Sequence, residues 1–353
     1  MVSSDRGDPL FLFDGGRRNR ARRHRRPPDR DDNLEIDLRF RPWLYHRLAT
    51  CLLGVPVPSG RDWTCLSTGV DRILKRSEHR VNAARITRSS KSNLALAFIS
   101  LGRERRRDIT TFYAFCRVID DIADDVDLSV EEKRRRLSDW RDWLRTPRPN
   151  ESSFAADVRN LITKYALAPE MLEEIIAGVE MDLSIKRYQT FEELRVYCYR
   201  VASAVGLVSI EIFGYRNAAC KEYAIELGLA LQMTNIIRDV GKDLRADRIY
   251  LPQEDLARFN YSEKELQDRQ YNERFVRLMQ FEADRAREFF ARAAGTLPAD
   301  DRKSMVAAEI MASIYRGLLR RMELDKFRVF EKEYSLNKLE KAGRIGAQLL
   351  KLF

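Results

Sequence analysis

Residues 109–125 read ITTFYAFCRVIDDIADD, and residues 229–243 read LALQMTNIIRDVGKD. Each begins as an apolar run and ends in acids. Side chains four apart on a helix share a face, so Asp120 and Asp124 form one acidic stripe. Asn235, Asp239 and Asp243 form a second, and Gln232 extends it by one turn. An unpaired carboxylate is costly to bury, and both stripes interrupt runs too apolar for solvated faces, so they need cations. Their donors are all oxygens, with no His or Cys among them. That set suits Mg²⁺, with Mn²⁺ as the alternative ion, and disfavours zinc. Mg²⁺ bridges carboxylate to phosphate while keeping some of its waters. Two facing stripes therefore predict a site for a diphosphate.

Outward from the stripes, a helical period dominates from about residue 76 onward. The pattern predicts helices over Glu131–Arg145, Pro169–Leu183, Phe191–Phe213, Cys220–Val240, Arg274–Ala294 and Lys303–Met322. Pro169 suits a first turn. Ala202, Ser203, Ala204 and Gly206 permit close helix contact. Strand and hairpin signals are nearly absent, as are the glycine-rich phosphate loops GxGxxG and GxxxxGK[ST]. The fold class is therefore all-α, a single large helical bundle around a central apolar cavity. Phe98, Phe112, Phe115, Leu207, Ile210, Phe213 and Leu229 supply the apolar inventory. A cavity of that lining behind a polar metal mouth suits a charged head on a long hydrocarbon tail.

Arginines and tyrosines flank the stripes. Arg117 lies three residues before Asp120, Arg238 directly before Asp239, and Arg248 five after Asp243. Arginine suits bidentate phosphate recognition. Tyr113 sits one turn before Arg117, and Tyr197, Tyr199 and Tyr315 lie on apolar helices where their hydroxyls need partners.

The 353-residue chain carries a net charge of +10, which favours anionic partners. Residues 17–30, RRNRARRHRRPPDR, hold eight arginines. Residues 1–75 show no sustained helical period and are expected to form a basic, disordered extension, leaving residues 76–353 as the helical domain. A competing reading of another class takes the chain as a basic helical scaffold that binds nucleic acid through residues 17–30. Five cysteines without CxxC spacing fit a reducing cytoplasm better than a disulfide framework or zinc site. No run of 18 uncharged apolar residues occurs, so no spanning helix is expected. The segment Leu336–Phe353 interleaves leucines with Lys and Arg and could lie on a membrane surface. Cytoplasmic placement with peripheral membrane contact follows.

Several of these segments resemble one family. Tyr113-Ala-Phe-Cys-Arg-Val-Ile-Asp-Asp-Ile-Ala-Asp124 is similar to the first aspartate-rich motif of the squalene/phytoene synthase family, the head-to-head isoprenyl diphosphate synthases. Leu231 to Asp243, followed by Arg248-Ile-Tyr-Leu-Pro252, resembles the second. Tyr197-Cys-Tyr-Arg-Val-Ala-Ser-Ala-Val-Gly206 resembles the family's YCYxVAGxVG helix, preceded by Arg187-Tyr188. The resemblance covers about residues 77–345 and implies an isoprenoid-synthase bundle. It implies that Asp120 and Asp124 bind one metal set and Asn235, Asp239 and Asp243 the other. It places Arg117, Tyr197 and Tyr315 at diphosphate-binding or cation-stabilising positions, Ala202 and Gln232 beside the substrate, and Lys332 where a C-terminal phosphate contact occurs. Ser90-Lys91-Ser92 resembles an N-terminal diphosphate contact. The chain departs from the family pattern in three places. Lys91-Ser92-Asn93-Leu94 replaces SxSF, Lys242 precedes the last aspartate, and Glu331, Glu333 and Glu340 punctuate a usually basic C-terminal stretch.

The implied reaction joins two prenyl diphosphates through a cyclopropyl intermediate, with no specific nucleic-acid partner. Phe98 lies where related enzymes place the floor of the tail pocket. Its ring favours C15 farnesyl diphosphate and a presqualene- or squalene-type product. The alternative is phytoene from two C20 geranylgeranyl diphosphates. No dinucleotide fingerprint supports NADPH, although this fold would bind NADPH without one.

Overall fold

The computed structural model describes residues 97–149, 151 and 153–351. The predicted N-terminal extension, the basic run, Ser90 and Ser92 lie outside the described residues. The described part is helical almost throughout. Its single strand-like feature is an isolated bridge between Arg187 and Ile249.

A 3₁₀ turn at Phe98–Ser100 leads into α1 (Arg103–Asp124), the helix of the first stripe. α2 (Val130–Arg145) starts where the Ser129 hydroxyl accepts the Glu132 amide at 3.2 Å, satisfying an otherwise orphaned donor. α3 (Ser153–Lys164) and α4 (Pro169–Met181) complete one side, α4 opening on Pro169 as its sequence implies. Phe115, Trp140 and Trp143 form an edge-to-face ladder between α1 and α2, with ring centroids 5.4 Å apart at each step. Burying rings of this size stabilises the pairing by about 1.5–3 kcal/mol each.

The expected helix 191–213 is present but divided. α5 (Phe191–Cys198) and α6 (Ala204–Phe213) are joined without a break by a π-helical turn, Tyr199–Ser203. Among the described residues this stretch is long and apolar enough to cross a membrane. The criterion of an unbroken uncharged run missed it. In the fold it lines the inside of the bundle.

α7 (Ala219–Asp243) carries the second stripe through the centre, with α10 (Glu273–Thr296) along one side and the α5–α6 stretch along the other. Close approach depends on glycine: a Cβ on Gly228 would lie 2.6 Å from the Ser203 backbone. Two short helices, α8 (Gln253–Arg258) and α9 (Glu263–Gln267), precede α10. α11 (Val306–Leu324) and α12 (Lys338–Leu350) follow it. The loop between α11 and α12 crosses α7 so tightly at Gly241 that a Cβ there would meet the Val329 carbonyl at 2.4 Å.

Candidate active site

α1 and α7 bring their acidic ends together. Arg248, just beyond α7, reaches Asp124 of α1 at 3.8 Å. Asp182, the residue capping the end of α4, stands between the stripes. Its carboxylate accepts the Tyr250 hydroxyl at 2.7 Å and the Tyr197 hydroxyl at 3.0 Å. Burial raises the Asp182 carboxyl above its ordinary value, opposed by those hydroxyls and by Arg248. Tyr197 and Tyr250 stack with centroids 5.1 Å apart, and Tyr188 stacks on Tyr250 at 6.0 Å. Desolvation beside Asp182 pushes the Tyr197 hydroxyl far above the usual phenol range, so both tyrosines stay protonated and donate.

On α1, Arg117 lies 2.8 Å from Asp121 and 3.6 Å from Asp120. Desolvation, with Asp124, Asp121 and Asp182 nearby, pushes the carboxyl of Asp120, whose side chain is 43% exposed, up to about 7 despite Arg117. On α7, Arg238 clasps Asp239 through two contacts of 2.8 and 2.5 Å. Desolvation and the neighbouring Asp239 push Asp243 up to about 7. The Asn235 amide nitrogen donates to Gln232 at 3.3 Å, while the Asn235 carbonyl oxygen is buried with no partner. Tyr315 faces Arg238 and Asn235, its hydroxyl raised by burial and held down by both.

Behind the mouth lies an apolar cavity of about 180 Å³. Gln232, Asn235 and Tyr315 line it at the stripe end, and Phe98, Ala202 and Leu231 line its walls. Phe213 and Tyr223 line it too, and the course of α7 puts Tyr223 at the far end, three turns or roughly 18 Å from Asn235. The Tyr223 hydroxyl is fixed by Glu309 at 2.8 Å. Phe98 packs edge-on against Tyr113, centroids 6.4 Å apart, so Tyr113 stands behind the cavity wall that Phe98 forms.

One expected contact is not seen at this site. Lys332 lies in the α11–α12 loop, where the Asp325 carboxylate engages its ammonium, and it lines a surface groove with Arg321 and Arg344. Lys242, which precedes Asp243, is exposed on α7, in keeping with a side chain that faces away from the stripe. Three contributors were missed: Asp182, Tyr250 and Tyr188. The signal for Asp182 was slight, a single acid at a helix end. Tyr250 lay inside the quoted Arg248–Pro252 segment.

These groups suit a divalent metal. The orphaned Asn235 side-chain carbonyl, and Asp120 and Asp243, whose carboxyls stay raised despite the nearby Arg117, Lys242 and Arg248, are oxygen donors that a metal ion would satisfy. Among the described residues no three His, Cys, Asp or Glu side chains cluster closely enough to hold an ion alone. The donors fit an ion that keeps water and takes the rest of its shell from a diphosphate, as Mg²⁺ does.

Comparison with known proteins agrees with this geometry. The squalene/phytoene synthase family model matches residues 87–340. The chain belongs to the squalene/phytoene synthase family. Among its relatives, the 15-cis-phytoene synthase of Synechocystis sp. is 37% identical over 65% of this chain and 72% of its own length. That of Synechococcus elongatus is 34% identical over 72% and 87%. A dehydrosqualene synthase crystal structure superposes with a TM-score of 0.68 at 24% identity, covering 79% of this chain and 98% of that one. The squalene synthase HpnC of Alicyclobacillus acidocaldarius gives 0.64 at 23%, over 72% and 96%. These two show the fold. As a squalene/phytoene synthase family member the chain is a prenyltransferase that condenses prenyl diphosphates head to head, in a family whose chemistry depends on divalent metal.

Proposed function

We propose that this chain condenses two geranylgeranyl diphosphates to a phytoene-type C40 hydrocarbon. The observation that carries a diphosphate-ionising reaction is the pair of facing acidic stripes, with Arg248 spanning to Asp124, at the mouth of an apolar cavity. The C20 choice is supported by the phytoene synthases among its relatives. A second reading, two farnesyl diphosphates to a presqualene- or squalene-type product, is favoured by the Phe98 ring in the cavity wall.

Asp120 and Asp124 on one side, and Asn235, Asp239 and Asp243 on the other, would hold Mg²⁺. Bound there, the ions supply electrophilic stabilisation of a departing diphosphate. Arg117 and Arg248 offer guanidinium donors to diphosphate oxygens. The donor's C1–O bond breaks and diphosphate leaves with the electron pair. The acceptor's double bond attacks C1, and loss of a proton closes the cyclopropane. Tyr197 and Tyr315, held neutral by burial, act as donors, so the released diphosphate is the base. The second ionisation and rearrangement end, for phytoene, in loss of another proton. Two C–O cleavages and two proton losses balance without a reductant, so this product needs no NADPH. The apolar cavity excludes water from the cations.

In this reading residues 76–353 form the catalytic unit and residues 1–75 are dispensable for turnover. Oily tails and product favour a cytoplasmic enzyme in peripheral contact with membrane. The test is incubation of the full chain with C15 or C20 diphosphate and Mg²⁺, with products identified by mass spectrometry. A C40 product formed preferentially from the C20 substrate is expected. Preference for C15 would select the second reading, and no coupled product from either would defeat both.

A further inference from the structure

α12 carries apolar residues on two sides, whereas an ordinary surface helix turns a single apolar stripe to the core. Its inward side mixes polar and apolar groups. Gln348 is buried at 8% exposure. Arg344 donates to the Ser313 carbonyl at 2.8 Å, and Glu340 pairs with Arg321. Ile345 and Leu349, partly buried, pack against the core. The outward side is apolar. Leu339 is 84% exposed and Leu350 75%. They are three turns apart, so they stack on one side of the helix. Ala342 and Gly343, both exposed, lie between them, and this arc carries no charge. Exposed Lys338 and Lys351 stand at its two ends. Leu324, 77% exposed, borders a groove of about 630 Å³ between the end of α11 and the start of α12.

We propose that this outward face of α12 docks on an anionic lipid bilayer. The proposal rests on the peripheral contact suggested above and gives it a surface. Charge decides among occupants. The leucines supply apolar surface that gains from insertion, and the flanking lysines match an anionic headgroup layer. The arginine-rich residues 17–30 have the same sign as those lysines and are repelled by them. A second copy would find too little surface: a few leucines and small residues offer a few hundred Å² at most, against the roughly 800 Å² per partner of a standard interface.

The test is co-sedimentation of the full chain with phosphatidylglycerol-containing or pure phosphatidylcholine vesicles, beside a Leu339→Glu/Leu350→Glu variant and a Lys338→Glu/Lys351→Glu variant. Both pairs are exposed, so circular dichroism and turnover of detergent-dispersed substrate should match the parent. The parent is expected to partition onto anionic vesicles. The leucine variant should lose at least about tenfold in partitioning, and the lysine variant should lose the preference for anionic lipid. Equal binding by parent and leucine variant would overturn the proposal and place the contact elsewhere. Absence of parent binding would overturn it too. So would a concentration-dependent dimer, seen by light scattering and lost in the leucine variant, without vesicle binding. Vesicle binding is read without substrate, so a failed prenyl-transfer assay and a failed docking assay remain separate results.

Discussion

On α7, Asp239 has its own cation: Arg238, the residue before it, holds both carboxylate oxygens. On α1 the equivalent help is misdirected. Arg117 is drawn to Asp121, off the stripe, and stands 3.6 Å from Asp120. Each stripe nevertheless keeps one carboxylate poorly compensated, Asp120 on α1 and Asp243 on α7, both pushed up to about 7 by desolvation and like charge. Asp124, at 66% side-chain exposure, is the open end of the first stripe, and Asp239, at 26%, is the enclosed centre of the second. The two faces thus divide the work. The second is partly neutralised before any metal arrives, and the first depends more on the incoming ion.

The largest expected effect comes from removing a carboxylate on either face. Asp120→Ala or Asp239→Ala should cut turnover by on the order of 10³-fold or more in a folded protein. Steady-state kinetics with saturating Mg²⁺, beside circular dichroism, checks this, and near-normal rates in both would dissolve the assigned site. The arginines then separate the faces. Arg238→Gln strands a half-buried Asp239 and should cost roughly 10²-fold in kcat/KM, against about tenfold for Arg117→Gln. The reverse order would show that the α1 face, not α7, carries the compensated charge.

Next in size is tail length. Phe98→Ala, or Tyr223→Ala at the far end, should shift the ratio of kcat/KM for C20 over C15 substrate, or C25 over C20, by about tenfold toward the longer chain. Competition assays read by mass spectrometry would show it, and an unchanged ratio in both variants would remove the cavity from length selection. The smallest effect is a control outside the site. Arg285 serves two buried carboxylates, Asp255 at 2.9 Å and Glu282 at 2.6 Å. Burial pushes the Glu282 carboxyl above its ordinary value. A carboxyl raised above its unfolded value favours folding while protonated, and that contribution is lost progressively as pH climbs from the unfolded value, about 4.5, through the raised folded one. Glu282→Gln should therefore match the parent near pH 4.5 and exceed it by a few degrees in Tm near pH 9. Added Mg²⁺ should leave that difference intact, because Glu282 awaits no metal. If Mg²⁺ erased it, the contrast between site and core carboxylates would fail.

The stripes were legible because metal binding writes itself at a helical spacing: Asp120/Asp124 and Asn235/Asp239/Asp243 repeat every fourth residue along uninterrupted α1 and α7. The bundle was legible for the same reason, since its apolar period is local. Asp182 was not, because it is a lone acid at the end of α4 whose meaning comes from Tyr197 and Tyr250, distant in sequence. Lys332 was placed by position in the chain, and its pairing with Asp325 was not legible because that contact forms within the α11–α12 loop rather than along a helix. The split of the α12 apolar residues between an inward pair, Ile345 and Leu349, and an outward pair, Leu339 and Leu350, was not legible, since periodicity does not say which residues face the core.

The π turn at Tyr199–Ser203 has a consequence for how this protein can change. Tyr197 and Ala202 are five residues apart and would point about 140° from each other on an unbroken α-helix. Here both serve the site, Tyr197 on Asp182 and Ala202 in the cavity wall, because the wide turn absorbs one extra residue. The helix is therefore phased like two gears keyed by a single tooth. Substitutions within the turn leave that phase intact. Deleting one residue from it would leave Tyr197 and the alanine four apart on a regular helix, still on one face, whereas winding all five residues as ordinary α-helix would swing either the tyrosine off its carboxylate or the alanine away from the cavity.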